Sequence, residues 1–259
     1  MLNRERIARA QAGMRQHNID AYLILTQDDY IYFFGEARFQ PRAILPAAGA
    51  PILITFRGEE AEVRERLVAD DVRIFGSVGQ LMKDVVGAMR ELAARKDGLT
   101  VGVQMGFATP AFLLNLFQRN NPKVRVVDIA PVMDALRMVK EPGEVEQIRR
   151  AGALAAVGMR AALAAIAPGV AERDVAAEAE YAMRKAGSDG TATPVYVNSG
   201  VRSGWLHGTA SGKAIQAGEI VVIDLVPVCE GYCANLCRTV VVGPGTDWQE
   251  KMLNTGSPQ

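Results

Sequence analysis

Three polar side chains in the last third of the chain could do chemistry. Asp224 and Asn235 interrupt the apolar run VVIDLVPVCEGYCANLCRTVVVG, residues 221–243, and His207 precedes it in the segment WLHG. The run reads as two strands joined around CEG. A turn centred between Cys229 and Glu230 sets Asp224 directly opposite Asn235, Val222 opposite Cys237 and Val226 opposite Cys233. A bulge at Gly231 would shift that register. Two readings are open at this point. Asn235 can donate its amide to the Asp224 carboxylate and offset part of its desolvation. Alternatively, two oxygen-bearing side chains on adjacent strands can chelate a cation. His207, taken alone, reads as a loop histidine bonded to backbone. The cysteines Cys229, Cys233 and Cys237 share the stretch. In an extended strand Cys233 and Cys237 lie roughly 13 Å apart, too far to bridge, so thiols packed in a strand are expected.

The elements that must position these groups follow from periodicity. Up to about Val139 the chain alternates helix-like and strand-like segments. A charged opening helix is followed by the strand AYLILT and the polar-aromatic QDDYIYFFG. The strands RAILPA and PILITF, the helix GEEAEVRERLVA and the strand VRIF come next. An amphipathic helix from Gly79 to about Arg95 precedes LTVGVQ and VRVVDI, which flank the helix PAFLLNLFQRN with Pro110 at its start. Strands separated by helices predict an α/β layer with a largely covered sheet. His17, at the end of the first helix, suits C-terminal capping.

The punctuation KEPGE, residues 140–144, breaks the pattern and marks a boundary between domains 1–139 and 140–259. Beyond it Val145, Ile148, Gly152, Ala155, Met159, Leu163 and Ile166 predict a long helix with one apolar stripe, ended by Pro168-Gly169. A second helix, from about Glu172 to Lys185, is closed by Gly187. The texture is β from Ala192, and TDWQEKMLNT reads as a helix with a capping box of Thr246 and Gln249.

Composition excludes several partners. The 259 residues are 49% hydrophobic and 22% charged, with 29 basic and 29 acidic side chains, so nothing draws the protein to nucleic acid or an anionic membrane. The charged N-terminus lacks the apolar core of a signal peptide, no apolar run approaches membrane-spanning length, and the odd, tightly spaced cysteines are no secreted framework. A cytoplasmic protein acting on a small molecule or another protein is expected.

Four stretches carry a family resemblance: MVKEPGEVEQIRRAGALA, PGVAERDVAAEAEYAMRKAGSDG, SGVRSGWLHGTASGKAIQAGEIVVIDLVP and GYCANLCRTVVVG. Together they resemble the creatinase/prolidase/aminopeptidase P family, and residues 1–139 resemble its accessory domain more loosely. The resemblance implies an α/β N-terminal creatinase-like domain followed by a partial α+β pita-bread domain, and a homodimer. It implies hydrolysis of a peptide C–N bond next to proline in a small peptide, with a divalent metal pair (manganese, cobalt or zinc). By that resemblance Asp224 is the first metal ligand and Asn235 occupies the place of the second, usually aspartate. His207 matches the histidine that approaches substrate. Cys237 stands where threonine is usual, and Gly218-Glu219 replaces Gly-Asp.

The family completes its site with one histidine and two glutamates well downstream. After His207 no histidine follows, and after Asn235 the carboxylate side chains are Asp247 and Glu250. The chain is therefore expected to be C-terminally truncated and inactive by itself, with β edges exposed and a tendency to self-associate. Asn235 leaves open a metal-independent, creatinase-like amidinohydrolase. A non-catalytic binding or dimerisation module, or a chain completed by a partner, are further alternatives.

Overall fold

A computed structural model describes residues 3–67, 69–93, 98–106 and 109–255. They form two compact units, Met1–Val139 and Lys140–Gln259. The first is built on strands β1 (Ala21–Ile24), β2 (Ala43–Pro46), β3 (Ile52–Phe56), β4 (Asp71–Phe75), β5 (Leu99–Val103) and β6 (Val124–Asp128), in the spatial order β4-β3-β2-β1-β5-β6. β2 runs antiparallel to β1 and β3, and the other pairings are parallel. Helices α1 (Arg4–Gln16), α2 (Gln27–Phe34), α3 (Glu60–Arg66), α4 (Val78–Ala93), α5 (Ala111–Asn120) and α6 (Ala130–Met138) complete the unit.

Alternation in β1 shows how the sheet is covered on both faces. Tyr22 and Ile24 join Met14, Phe33 and Val132 in one core, while Ala21 and Leu23 join Leu81, Val85 and Phe117 in another. The expected α/β layer is present. The segment after β1 is a helix, closed by Gly35 at φ 71°. Its buried Asp29 accepts from the Tyr22 and Thr26 hydroxyls and, at 3.2 Å, from Arg137 on α6. His17 caps α1, with its ring Nδ1 2.9 Å from the Gly13 carbonyl oxygen. The helix expected over GEEAEVRERLVA begins as a 3₁₀ turn, Arg57–Glu59, and ends at Arg66. Val68, the expected helix end at Arg95 and the final residues GSPQ lie outside the described residues.

The second unit contains α7 (Pro142–Ala165), α8 (Glu172–Lys185), β7 (Gly190–Thr191), β8 (Tyr196–Ser199), β9 (Ile220–Leu225), β10 (Pro227–Cys229), β11 (Tyr232–Cys233), β12 (Leu236–Val241) and α9 (Asp247–Thr255). Its two antiparallel sheets have the orders β11-β10-β7 and β12-β9-β8. Glu141 and Glu144 form a capping box at the start of α7, with Pro142 in its first turn. The buried stripe of α7 differs from the expected one: Ala151, Leu154, Ala155, Gly158, Met159 and Ala162 are buried, while Leu163 is exposed. Small residues turn inward because α8 comes close, so that a Cβ on Gly158 would lie 2.6 Å from Met183.

Candidate functional site

The two predicted strands around Asp224 are each broken in two, and their register is shifted. Cys237, rather than Asn235, stands opposite Asp224, with Thr239 opposite Val222 and Cys233 opposite Val228. The cause is the turn. Glu230 at φ 50° and Gly231 at φ 83° are its two central residues, both left-handed as a type I′ hairpin requires, so the turn lies one residue beyond the expected centre. A slip of two in register keeps every side chain on its face. Asn235 therefore still reaches Asp224, diagonally, and its Nδ2 donates to Asp224 Oδ1 at 2.7 Å. A carboxylate is acceptor-only, which sets the orientation of the amide.

β9 is also not the unpaired strand expected, since it is the centre of its sheet. Val221, Ile223 and Leu225 are fully buried in the core with α7 and α8, while Asp224 lies on the opposite, half-exposed face. Tyr196 on β8, Asp224 on β9 and Cys237 on β12 form one rank across that face. Cys233 and Cys237 are exposed rather than packed, and Cys229 is the buried thiol. Burial, then the charge of Asp224, raise the Cys237 thiol above its ordinary pKa.

His207 is exposed, and its ring centroid lies 6.0 Å from that of Tyr196. It sits in the loop between β8 and β9, which is clamped to α8 by Glu172, a fully buried residue. Glu172 accepts from the Ser199 backbone and hydroxyl (2.8 and 2.9 Å), from the Ser211 backbone and hydroxyl (3.1 and 2.7 Å) and from Arg202 Nε (3.0 Å). Arg202 also donates to the Thr209 carbonyl at 2.7 Å and lies 4.4 Å over the Trp205 ring. Lys213 links Ser199 Oγ (2.9 Å) to Glu219 (2.6 Å). Next to His207, a Cβ on Gly208 would come within 2.4 Å of Asn198 Oδ1, a buried oxygen without a hydrogen-bond partner. The structure thus brings His207, Tyr196, Asp224 and Asn235 to one side of one sheet.

The comparisons with known proteins cover both units. A model described as creatinase/prolidase N-terminal domain matches residues 6–139, and one described as metallopeptidase family M24 matches residues 146–256. The chain belongs to the creatinase/prolidase family. It is 29% identical over 253 residues to a Xaa-Pro dipeptidase of Pyrococcus horikoshii, covering 96% of this chain and 67% of the relative. It is 28% identical over 235 residues to the uncharacterized peptidase YqhT of Bacillus subtilis, covering 90% of this chain and 64% of the relative. The solved prolidase from Pyrococcus furiosus superposes with a TM-score of 0.79 at 27% identity, over 93% of this chain and 67% of that one. The chain thus spans about two thirds of the length of these relatives, with the family's N-terminal domain followed by part of its pita-bread domain.

Membership in a metallopeptidase family implies divalent metal. The described residues do not fit a metal pair by themselves. Among them no three His, Cys, Asp or Glu side chains group closely enough to hold an ion, and Asn235 turns a donor, not an oxygen, towards Asp224. One carboxylate and one neutral amide are too few ligands for two divalent ions. Sequence reasoning missed Tyr196, Asn198 and the Glu172 clamp. The only available signal was Arg202 and two serines flanking WLHG, which is consistent with any polar loop.

Proposed function

We propose that the protein is a hydrolase of the Xaa-Pro peptidase type, cleaving the peptide bond before proline in small peptides, and that this chain supplies the substrate-facing part of its site. The rank Tyr196–Asp224–Cys237 beside His207, on the open face of β9 within the M24-matching segment, carries the reading. Relatives named Xaa-Pro dipeptidase over 96% of the chain support it. In this reading His207 holds or delivers a proton at the scissile bond, and the Glu172 clamp that fixes its loop supports it. Asp224 supplies a carboxylate on that face. The manganese, cobalt or zinc pair of the complete site requires ligands beyond Asp224 and Asn235. A homodimer in the cytoplasm completes the proposal, with the dimer to be read by sedimentation velocity.

The test is release of free proline from Ala-Pro, with Ala-Ala as control. It is measured for this chain alone and for the chain joined to the part of the Pyrococcus horikoshii Xaa-Pro dipeptidase that it does not match. The chain alone is expected to be silent. The joined protein should release proline, stop on chelation and lose about 10²- to 10⁴-fold in kcat with His207→Ala. A joined protein that folds, retains metal and leaves Ala-Pro intact sinks the reading. One observation favours a second reading. The Asn235 amide already serves the Asp224 carboxylate, so that acid has a partner without a cation. Chelator-resistant hydrolysis of an amidino C–N bond would select it.

A further inference from the structure

The N-terminal unit has a concave surface that owes nothing to the Asp224 face. The segment from Ala37 to Arg42, the first turns of α4 and the first half of α5 enclose a cavity of about 750 Å³. That is within the range of roughly 300–1,000 Å³ typical of small-molecule sites. Its wall is apolar, with Leu81, Met82, Leu113 and Leu116, and its rim carries Phe39 and Phe112, which are 83% and 70% exposed. Two large aromatic side chains left in water beside an apolar cavity mark a surface that gains from being covered.

One charge faces this wall without a counter-charge bonded to it. Arg42 Nη1 and Nη2 donate to the Gln40 carbonyl and side-chain oxygens at 3.0 and 2.8 Å, both neutral acceptors. Its Nε is buried without an acceptor, and the guanidinium lies 5.2 Å over the Phe75 ring. The nearby acid Glu59 is engaged elsewhere, accepting from Thr55 at 3.0 Å and pairing with Arg38 at 3.4 Å. Arg38, the other guanidinium of the cavity, is held by Glu36 at 2.6 Å. Burial lowers the Arg42 pKa, and the charge of Glu59 offsets only part of that. A guanidinium has five N–H donors in a fixed fork, so the Nη protons not used by Gln40 can still take a carboxylate.

We propose that this cavity binds a small amphipathic monocarboxylate, its apolar body against Leu81, Met82, Leu113 and Phe112 and its carboxylate on Arg42. The apolar wall selects the body, and the Arg42 charge with its remaining Nη protons selects the anion. The volume of about 750 Å³ suits a small molecule.

The experiment is calorimetric titration of the full chain with decanoate and with decanol, which share an alkyl chain and differ in charge. Saturable binding is expected, with decanoate about ten- to a hundredfold tighter than decanol, the range of a charge-assisted hydrogen bond. Arg42→Gln should erase that difference, and Arg42→Lys, which keeps the charge and loses the planar fork, should leave an intermediate one. Circular dichroism checks that each variant is folded. Equal affinities for the two ligands in the wild-type chain, or preference unchanged in a folded Arg42→Gln, would overturn the proposal. So would failure of both ligands to bind while Phe112→Ser dissociates an oligomer, which would make the cavity a contact between chains.

Discussion

Asn235 does at Asp224 what a cation or a second acid would otherwise have to be balanced against: it presents a donor at 2.7 Å to a half-exposed carboxylate. Asn235→Asp would set two acids side by side, which costs stability in the absence of a cation and creates a chelate in its presence. The expected result is a melting temperature that falls in chelator and recovers on adding manganese, whereas the wild-type chain is indifferent to both; thermal melts by circular dichroism check it. Glu172 gives a prediction in pH. Burial would raise its pKa, but hydrogen bonds from Ser211 and Ser199 outweigh burial and hold it below the ordinary value. A folded-state value below the unfolded one stabilises fully above the unfolded value, and that stability is lost as pH falls through the folded value. The loop that carries His207 should therefore loosen in acid, below the ordinary carboxylate range of about 4. Trp205 fluorescence in a Trp248→Phe background would report it, and Glu172→Gln should remove that acid step. That Asp224 and Asn235 meet is legible in the sequence, because a carboxylate inside an apolar run needs a donor. Their register is not, because the type I′ turn uses Glu230 at φ 50°, a residue type that rarely adopts that conformation and does not signal it.

At the scale of elements, α7 offers two glycines with opposite expected outcomes. A Cβ at Gly152 meets nothing within 4 Å, whereas one at Gly158 meets Met183 Cγ and Sδ at 2.6 Å. Gly152→Ala should stabilise by about 1 kcal/mol through helix propensity. Gly158→Ala should destabilise by about 1–3 kcal/mol by forcing α8 or Met183 aside. Urea denaturation followed at 222 nm distinguishes them by the sign of the midpoint shift. The same helix shows where periodicity misleads. Of the stripe Val145, Ile148, Gly152, Ala155, Met159, Leu163 and Ile166 read from spacing, Ala155 and Met159 are buried, and the rest of the packed face is Ala151, Leu154, Gly158 and Ala162. Hydropathy ranks side chains by size and greasiness, while close approach of two helices selects those that are small. By contrast the capping box of Thr246 and Gln249 is legible and forms, with Thr246 N donating to Gln249 Oε1 at 2.8 Å, because it depends only on local spacing. The strands of the first unit are legible for a related reason, since a sheet covered on both faces leaves near-continuous apolar runs.

For the whole molecule, the two units have separate cores, and no core cluster among the described residues draws on both. Apolar surface is nevertheless left in water close to His207, where Val201 and Leu206 are 89% and 84% exposed. β8 and β12 also end their sheet as edges. The chain is expected to self-associate as its concentration rises, with little sensitivity to salt because the driving surface is apolar. Sedimentation velocity over a concentration series checks this, and Leu206→Ser should lower the association; a single monomeric species throughout would contradict it. Cys237 adds a means of watching the site in the intact protein. The residue is exposed and stands opposite Asp224, and partial desolvation of the sulfur together with that neighbouring charge raises its pKa. Alkylation at this sulfur is therefore expected to be slow and to change in rate when the acid beside it is neutralised or covered, so that timed labelling with peptide mapping becomes a clock for occupancy of the face.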